Sequence, residues 1–499
     1  MVKTAMLSLE SQAPIASVDR RLFGSFLEHL GRAVYTGIYQ PGHPAADEMG
    51  FRTDVLKLVQ RLQLPLVRYP GGNFVSGYRW EDGIGPKESR PRRLELAWGV
   101  IEPNLVGVDE FAQWAKAAGA EVMMAVNLGT RGIQEAQDLL EYCNHPSGTY
   151  WSDLRAQNGH PEPYGIRTWC LGNEMDGPWQ IGHKTAREYG RLAAETAKVM
   201  RWVDPAVELV ACGSSGRGMI TYGKWEDQVL DLCGDQVDYV SLHTYYGCRD
   251  GDTQSFLTSA LDMEAFIREV AAICDGVCAR NKWNKQINLS FDEWNVWYHS
   301  SQQDQEIPRW SQHPHQLEDI YLVEDAVLVG SMLITLMRCS DRVRIACLAQ
   351  LVNVIAPIMT EENGSAWCQT IYYPFLHASL YGRGEALNVG IQSPSYSCAR
   401  FTEAKAVDAV AVQNGEELTI FAVNRSLDED VQATLDLRGY GQADGVEHIL
   451  YTHEDIKAHN GPDQSQNILP QSLPLQVQEG QAQVFFPRVS WNVLRFRLK

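Results

Sequence analysis

The sequence predicts an α/β chain in two parts: a (β/α)8 TIM barrel over residues 18–385, and an all-β antiparallel sandwich, jelly-roll-like, built from residues 1–17 and 386–499. Three observations predict it. Short apolar runs rich in β-formers alternate with longer segments whose apolar residues recur every three or four positions, the pattern of parallel strands joined by crossover helices. Near residue 385 that alternation stops, and short strands then follow one another with polar loops between them. The opening residues alternate polar and apolar ahead of the first barrel strand, so they predict a strand that pairs into the far end of the chain.

The N-terminal strand is expected at residues 4–10. Eight barrel strands are expected at 22–26, 66–69, 122–127, 167–171, 207–212, 239–243, 287–291 and 344–348. Helical periodicity predicts crossovers that include 54–62, 109–118, 186–202, 263–274 and 323–337. A doubly wound sheet would use fewer strands. The apolar run 327–337 is about half a bilayer span and is flanked by Glu324 and Arg338, so it reads as a buried helix. In the tail, strands are expected at 406–412, 418–423, 431–437, 447–451, 482–486 and 491–496. Asn414-Gly415 marks a turn, and the polar stretch 454–472 is expected to be a loop.

Composition narrows the function. With 62 acidic against 43 basic residues the chain carries a formal charge of −19, which argues against nucleic acid or an anionic membrane and favours a neutral polar ligand. Glu10 interrupts the stretch where a secretory signal would need an apolar core, so a cytoplasmic location is expected. Eleven cysteines, an odd count scattered through apolar runs, suggest reduced core residues. Cys274 and Cys278 lack a second ligand pair for zinc, and residues 213–218 lack the spacing of a dinucleotide loop. The sequon at Asn363 has no meaning without secretion. No metal and no cofactor is expected.

In a barrel of this kind the chemistry sits at the C-terminal ends of the strands. Those ends are unusually polar here: Glu28-His29, Arg68 to Asn73, Gly172-Asn173-Glu174, His243 to Tyr246, Asp292 to Asn295, and Gln350 followed by Asn353. Carboxylates, amides and aromatic rings without surplus positive charge suit sugar hydroxyls and ring faces. Glycoside hydrolysis needs two carboxyl groups, one protonated and one ionised. Glu174 and Glu293 are the best placed pair, and His243 reads as a histidine that orients its neighbours.

Two segments, Trp169-Cys170-Leu171-Gly172-Asn173-Glu174-Met175-Asp176-Gly177-Pro178-Trp179 and Phe291-Asp292-Glu293-Trp294-Asn295-Val296-Trp297-Tyr298, resemble the catalytic signatures of intracellular bacterial α-L-arabinofuranosidases. These are retaining glycosidases of family fifty-one, in clan A. The resemblance extends through Gly24 to Leu30, Arg68 to Phe74 and Cys347 to Asn353. It implies Glu174 as acid/base, Glu293 as nucleophile, and Asn173 on the sugar 2-hydroxyl. It further implies that Glu28, Asn73 and Gln350 bind other hydroxyls, that Tyr245 orients Glu293, and that Trp98 and Trp297 wall the pocket. The implied activity is exo-acting release of terminal arabinofuranose from arabinan- or arabinoxylan-derived oligosaccharides, by a homohexamer. The alternatives are a β-xylosidase or endoglucanase on the same scaffold, or a non-catalytic carbohydrate-binding protein.

Overall fold

The computed structural model describes residues 2–499, apart from the side chains of residues 10–13; residue 1 of the first segment lies outside the described residues. A long first strand, β1 (Lys3–Ser17), leads into a closed barrel. Its eight parallel strands follow in chain order: β2 (Gly24–Phe26), β3 (Leu66–Tyr69), β4 (Glu121–Val126), β5 (Thr168–Leu171), β6 (Glu208–Ala211), β7 (Tyr239–Tyr246), β8 (Asn288–Val296) and β9 (Val343–Ala349). Each overlaps an expected run. β2 starts later than its apolar pattern because Arg20–Phe23 form a 3-10 turn in which the Arg21 backbone N–H donates to the Asp19 side chain. β7 and β8 run longer, so Tyr245 and Glu293 lie within strands rather than after them, and His243 stands inside its strand rather than at its end.

Alternation along the strands divides the core. Phe26, Met123, Cys170, Val210 and Ile345 fill the barrel interior, while the other strand faces pack against an outer ring of helices. That ring contains α1 (Thr53–Leu62), α2 (Val108–Ala118), α3 (Ile133–Asn144), α4 (Ala186–Val203), α5 (Lys224–Cys233), α6 (Ser259–Asn281), α7 (Val323–Arg338) and α8 (Tyr372–Tyr381). Thr185 and Glu188 start α4 as a reciprocal cap, the side chain of each accepting the other's backbone N–H.

α7 is buried on every face from Val323 to Met337 because it lies between the barrel and the second domain. Gly330 makes that approach possible: a Cβ there would meet Trp491 Cε3 at 2.4 Å. The tail domain also caps this helix, since the Val323 and Glu324 N–H groups donate to the carbonyls of Ala458 and Ile456. Lys457 Nζ reaches Glu324 at 2.6 Å and His299 pairs with Asp325 at 2.9 Å, so the two buried acids at the helix start have partners. The polar stretch expected to be only a loop therefore holds the domains together, and it ends in a strand.

The second domain is built on a ten-stranded sheet. Its members after the barrel are β10 (Glu385–Gln392), β11 (Val407–Asn414), β12 (Glu417–Asn424), β13 (Val431–Asp436), β14 (Ala443–Tyr451), β15 (Gln471–Leu473), β16 (Val477–Gln478), β17 (Gln481–Phe486) and β18 (Ser490–Leu498). Their order is β15-β14-β18-β12-β11-β10-β1-β13-β17-β16, around a core that includes Leu7, Leu387, Ile420, Leu435 and Phe496. Besides the short strands β15 and β16, two larger features depart from the sequence reading. β10 was not expected, because most of its residues past Leu387 are exposed or half-exposed and leave little apolar signal. The sheet is also not wholly antiparallel: β1 pairs antiparallel with β10 but parallel with β13. No hairpin links β1 to β13, so nothing in the connection forces them to run in opposite directions. No helix among the described residues is long and apolar enough to cross a membrane. All eleven cysteines are free thiols, and ten of them are buried.

Candidate active site

A cavity of about 610 Å³ lies at the strand ends, lined by Glu28, Asn73, Trp98, Glu174, Tyr245, Glu293, Trp297 and Gln350. Asn173, the remaining residue expected in the site, is 1% exposed, and its amide nitrogen has no hydrogen-bond partner. An ideal Cβ on Gly72, a cavity-lining residue, would lie 3.5 Å from that nitrogen and 3.0 Å from Glu293 Oε1. A buried unpartnered donor beside a carboxylate is the arrangement expected where a ligand hydroxyl completes the hydrogen bonding.

Two local backbone features aim the carboxylates. After β5 the chain turns through Gly172 at φ 88° and Glu174 at φ 44°, a left-handed conformation that side chains other than glycine's rarely adopt. Strain of about 1–3 kcal/mol at such a position persists only where the surroundings enforce it; here the Gly177 N–H donates to the Glu174 carbonyl at 2.8 Å. In β8, strict alternation would send Asp292 and Glu293 to opposite faces. Register shifts against both neighbours, between Ser290 and Glu293 and between Phe291 and Trp294, mark a bulge that lets both approach the same ring, that of His243.

Glu293 accepts from Arg68 Nη1 at 2.7 Å and from the Tyr245 hydroxyl at 2.8 Å. Arg68 is itself buried, stacks on Phe26, and donates to Asn173 Oδ1 at 2.7 Å, which leaves the Asn173 amide nitrogen as the end without a partner. Glu174 accepts from His243 Nδ1 and from the Trp179 indole, both at 2.9 Å. His243 Nε2 lies 2.9 Å from Asp292 Oδ1. Burial alone would push the His243 imidazole down. The Glu293 charge and the hydrogen bonds to Asp292 and Glu174 outweigh it and raise the ring to about 10, which favours the imidazolium. Glu174 is raised above the usual carboxylate range, first by burial and then by the Glu293 charge, against the donation from His243 and Trp179. The two glutamates thus stand in opposed settings: one among donors including a guanidinium, the other buried with its proton favoured.

One oxygen of Glu174, one nitrogen of His243 and one oxygen of Glu293 lie within 4.8 Å of one another, a spacing at which a metal could be held. Both ring nitrogens of His243 are already engaged, Nδ1 by Glu174 and Nε2 by Asp292.

Glu28 accepts from the Phe74 N–H at 2.8 Å, from the Trp98 indole at 3.1 Å and, weakly, from Gln350 at 3.4 Å. Burial raises its carboxyl to about 8, with the Glu293 charge adding to the effect. Between the ordinary carboxylate pKa and that value the folded chain holds a proton that the unfolded chain lacks, so Glu28 detracts from stability as pH rises through this window. Glu28→Gln cannot ionise. It is therefore expected to match the wild type near pH 5 and to exceed it by about 1–3 kcal/mol near pH 9, while losing turnover. Denaturant unfolding at the two pH values checks this.

Some strand-end residues serve the framework instead. His29 bonds Tyr69 at 2.8 Å and Glu102 at 3.2 Å. Asn353 fixes the loop after β9 through the Arg32 carbonyl and Thr360. Sequence reasoning gave no role to Arg68, Asp292 or Trp179, which contact the central residues directly. A signal existed for Arg68, a cation inside an otherwise apolar four-residue strand.

The family model described as the α-L-arabinofuranosidase 1 domain matches residues 58–259, and the α-L-arabinofuranosidase C-terminal domain matches residues 292–490. An intracellular exo-α-(1→5)-L-arabinofuranosidase of Bacillus subtilis is 57% identical, with 99% of each chain covered. An exo-α-(1→6)-L-arabinofuranosidase of Bifidobacterium longum is 48% identical, covering 99% of this chain and 98% of its own. The solved structure of a family 51 α-L-arabinofuranosidase from Bifidobacterium longum superposes with a TM-score of 0.96 at 45% identity, over 99% of this chain and 100% of that one. With matches of this extent over both the barrel and the sheet domain, the chain belongs to the α-L-arabinofuranosidase family of glycoside hydrolases.

Proposed function

We propose that the protein is an exo-acting, retaining α-L-arabinofuranosidase that releases terminal non-reducing arabinofuranose from arabinan- or arabinoxylan-derived oligosaccharides by double displacement. The observation that carries the chemistry is the pair of glutamates in opposed settings, with an oxygen of one within 4.8 Å of an oxygen of the other. Retaining glycosidases hold their carboxyl groups about 5–5.5 Å apart, whereas inverting ones leave about 6.5–9.5 Å for a water. The sugar is supported by the relatives, which are named for arabinofuranose release.

Glu293 attacks the anomeric carbon while the Glu174 proton passes to the leaving oxygen. A glycosyl ester forms on Glu293 and the aglycone departs. Esterification removes the Glu293 charge, so Glu174, now ionised beside the His243 imidazolium, takes a proton from water as that water attacks the ester. Arabinose leaves with its anomeric configuration retained, and both groups return to their starting states. The Asn173 amide holds the 2-hydroxyl, Glu28, Asn73 and Gln350 bind the others, and Trp98 and Trp297 flank the ring.

The relatives are named for both α-(1→5) and α-(1→6) linkages. The reading includes a cytoplasmic location, which relatives named intracellular support, and a homohexamer, which the family resemblance supports. It divides the chain into residues 18–385 and residues 1–17 with 386–499, supported by the closure of the barrel and by the pairing of β1 within the tail sheet. A panel of 4-nitrophenyl glycosides tests the substrate. The α-L-arabinofuranoside is expected to be hydrolysed far faster than the β-D-xylopyranoside or β-D-glucopyranoside, and a preference for either of the latter would overturn it.

A further inference from the structure

A second cleft, of about 550 Å³, shares no lining residue with the catalytic cavity. It runs along the seam between the domains, with one wall from α1 and α8 and the other from β14, β15 and the connection before β15. The uncommitted polar groups in its wall include four hydrogen-bond donors. Arg61, in the last turn of α1, makes no ion pair or hydrogen bond among the described residues, in a chain of net charge −19. The Trp367 indole N–H is buried without a partner, and the Tyr373 hydroxyl makes no hydrogen bond within the chain.

His377 is the fourth and the most informative. It is 6% exposed, and the Trp491 indole donates to its Nδ1 at 3.2 Å. Burial, then the nearby Arg61 charge, hold the ring at about 3, so it is neutral. A neutral ring that accepts at Nδ1 must carry its proton on Nε2. Trp491, a residue that seats the sheet on α7, thereby fixes a histidine donor in the cleft wall. The carboxylate in the wall, Glu447, is already taken by Arg495 at 2.6 Å and Ser472 at 3.0 Å.

A guanidinium with surrounding neutral donors calls for an anion, and the bidentate geometry of arginine favours a carboxylate or phosphate. A bare ion would leave most of the volume and the Trp367 surface unused, whereas aromatic walls suit a ring. We infer that this cleft is a second, non-catalytic site for a carboxylate carried on a ring, a uronate sugar or an aromatic acid, with Arg61 on the carboxylate and the ring against Trp367. Because both domains contribute to the walls, an occupant stabilises their packing by mass action.

The test titrates the full-length protein with D-galacturonate and with trans-cinnamate by calorimetry, with D-galactose and inorganic phosphate as controls. Saturable binding of at least one acid is expected, undiminished by excess L-arabinose, and the uronate and the aromatic acid identify the ring by which of them binds. Arg61→Gln should weaken it about tenfold or more, the scale of a lost charge-assisted pair. Tyr373→Phe, which keeps the ring and removes only the hydroxyl, should weaken it less. Both variants should retain arabinofuranoside hydrolysis, which shows that they fold. The inference is overturned if neither acid binds saturably, if Arg61→Gln binds as well as the wild type, if arabinose displaces the acid, or if galactose or phosphate binds as tightly.

Discussion

Replacing Glu293 by alanine is expected to lower kcat on 4-nitrophenyl α-L-arabinofuranoside by on the order of 10⁴–10⁶, the scale on which removal of a covalent nucleophile acts. No other carboxylate that lines the cavity can take over. Glu174 is held by His243 and Trp179, and Glu28 by the Phe74 amide and Trp98. The alanine variant also removes the ion-pair partner of buried Arg68, leaving only the more distant Asp292 charge, and breaking a buried pair costs up to about 3–5 kcal/mol of stability. Glu293→Gln separates the two effects. It keeps an acceptor for Arg68 and Tyr245, so it should fold more stably than the alanine variant and remain as inactive. Steady-state kinetics with thermal unfolding of both variants makes the comparison.

Glu174→Ala should give a different, substrate-dependent loss. Protonation of the leaving group contributes about 10²–10⁴ in rate where that group is a sugar hydroxyl, and far less where it is a nitrophenolate. The variant is therefore expected to lose most of its activity on arabino-oligosaccharides while keeping much more on the aryl glycoside. Its slow step then becomes hydrolysis of the glycosyl ester, for want of a base. Azide, which needs no deprotonation, should enter the space left by the carboxyl and restore turnover as an arabinosyl azide of retained configuration. In the wild type, activity should fall as pH rises through the raised pKa of Glu174, and that basic limb should be absent from Glu174→Ala. Equal losses in the Glu174 and Glu293 variants on both substrates would contradict the assignment of roles.

The barrel was legible because its strands and helices carry different periods, and the two periods alternate over more than half the chain. The same reading found the strand-end polar residues, since a barrel confines its chemistry to one rim. Harder to see were features set by pairing rather than by pattern. β10 presents mostly exposed residues and gives no alternation to count. The parallel pairing of β1 with β13 joins segments more than 400 residues apart, and no local signal encodes its direction. Within the site, Asp292 was hidden by its neighbour. Strand alternation allows one inward residue, and the bulge that admits both Asp292 and Glu293 is visible only in the register against β7 and β9. Arg68 and Trp179 stood inside quoted motifs, yet their contacts with Glu293 and Glu174 depend on how separate strands close the ring. His29 and Asn353 show the converse: polar strand-end residues whose partners, once seen, are framework groups.

Double displacement at this site requires a covalent arabinosyl ester on Glu293, and peptide mapping of the trapped intermediate measures it most directly. Glu174→Ala, incubated with an arabinofuranoside bearing a dinitrophenolate leaving group and then quenched in acid, should accumulate protein heavier by one anhydroarabinose. Fragmentation should place that mass on Glu293, within the peptide that contains Asp292 and Trp294. An adduct on Glu174's neighbours or on Glu28, or burst-free turnover that yields arabinose of inverted configuration, would contradict the account.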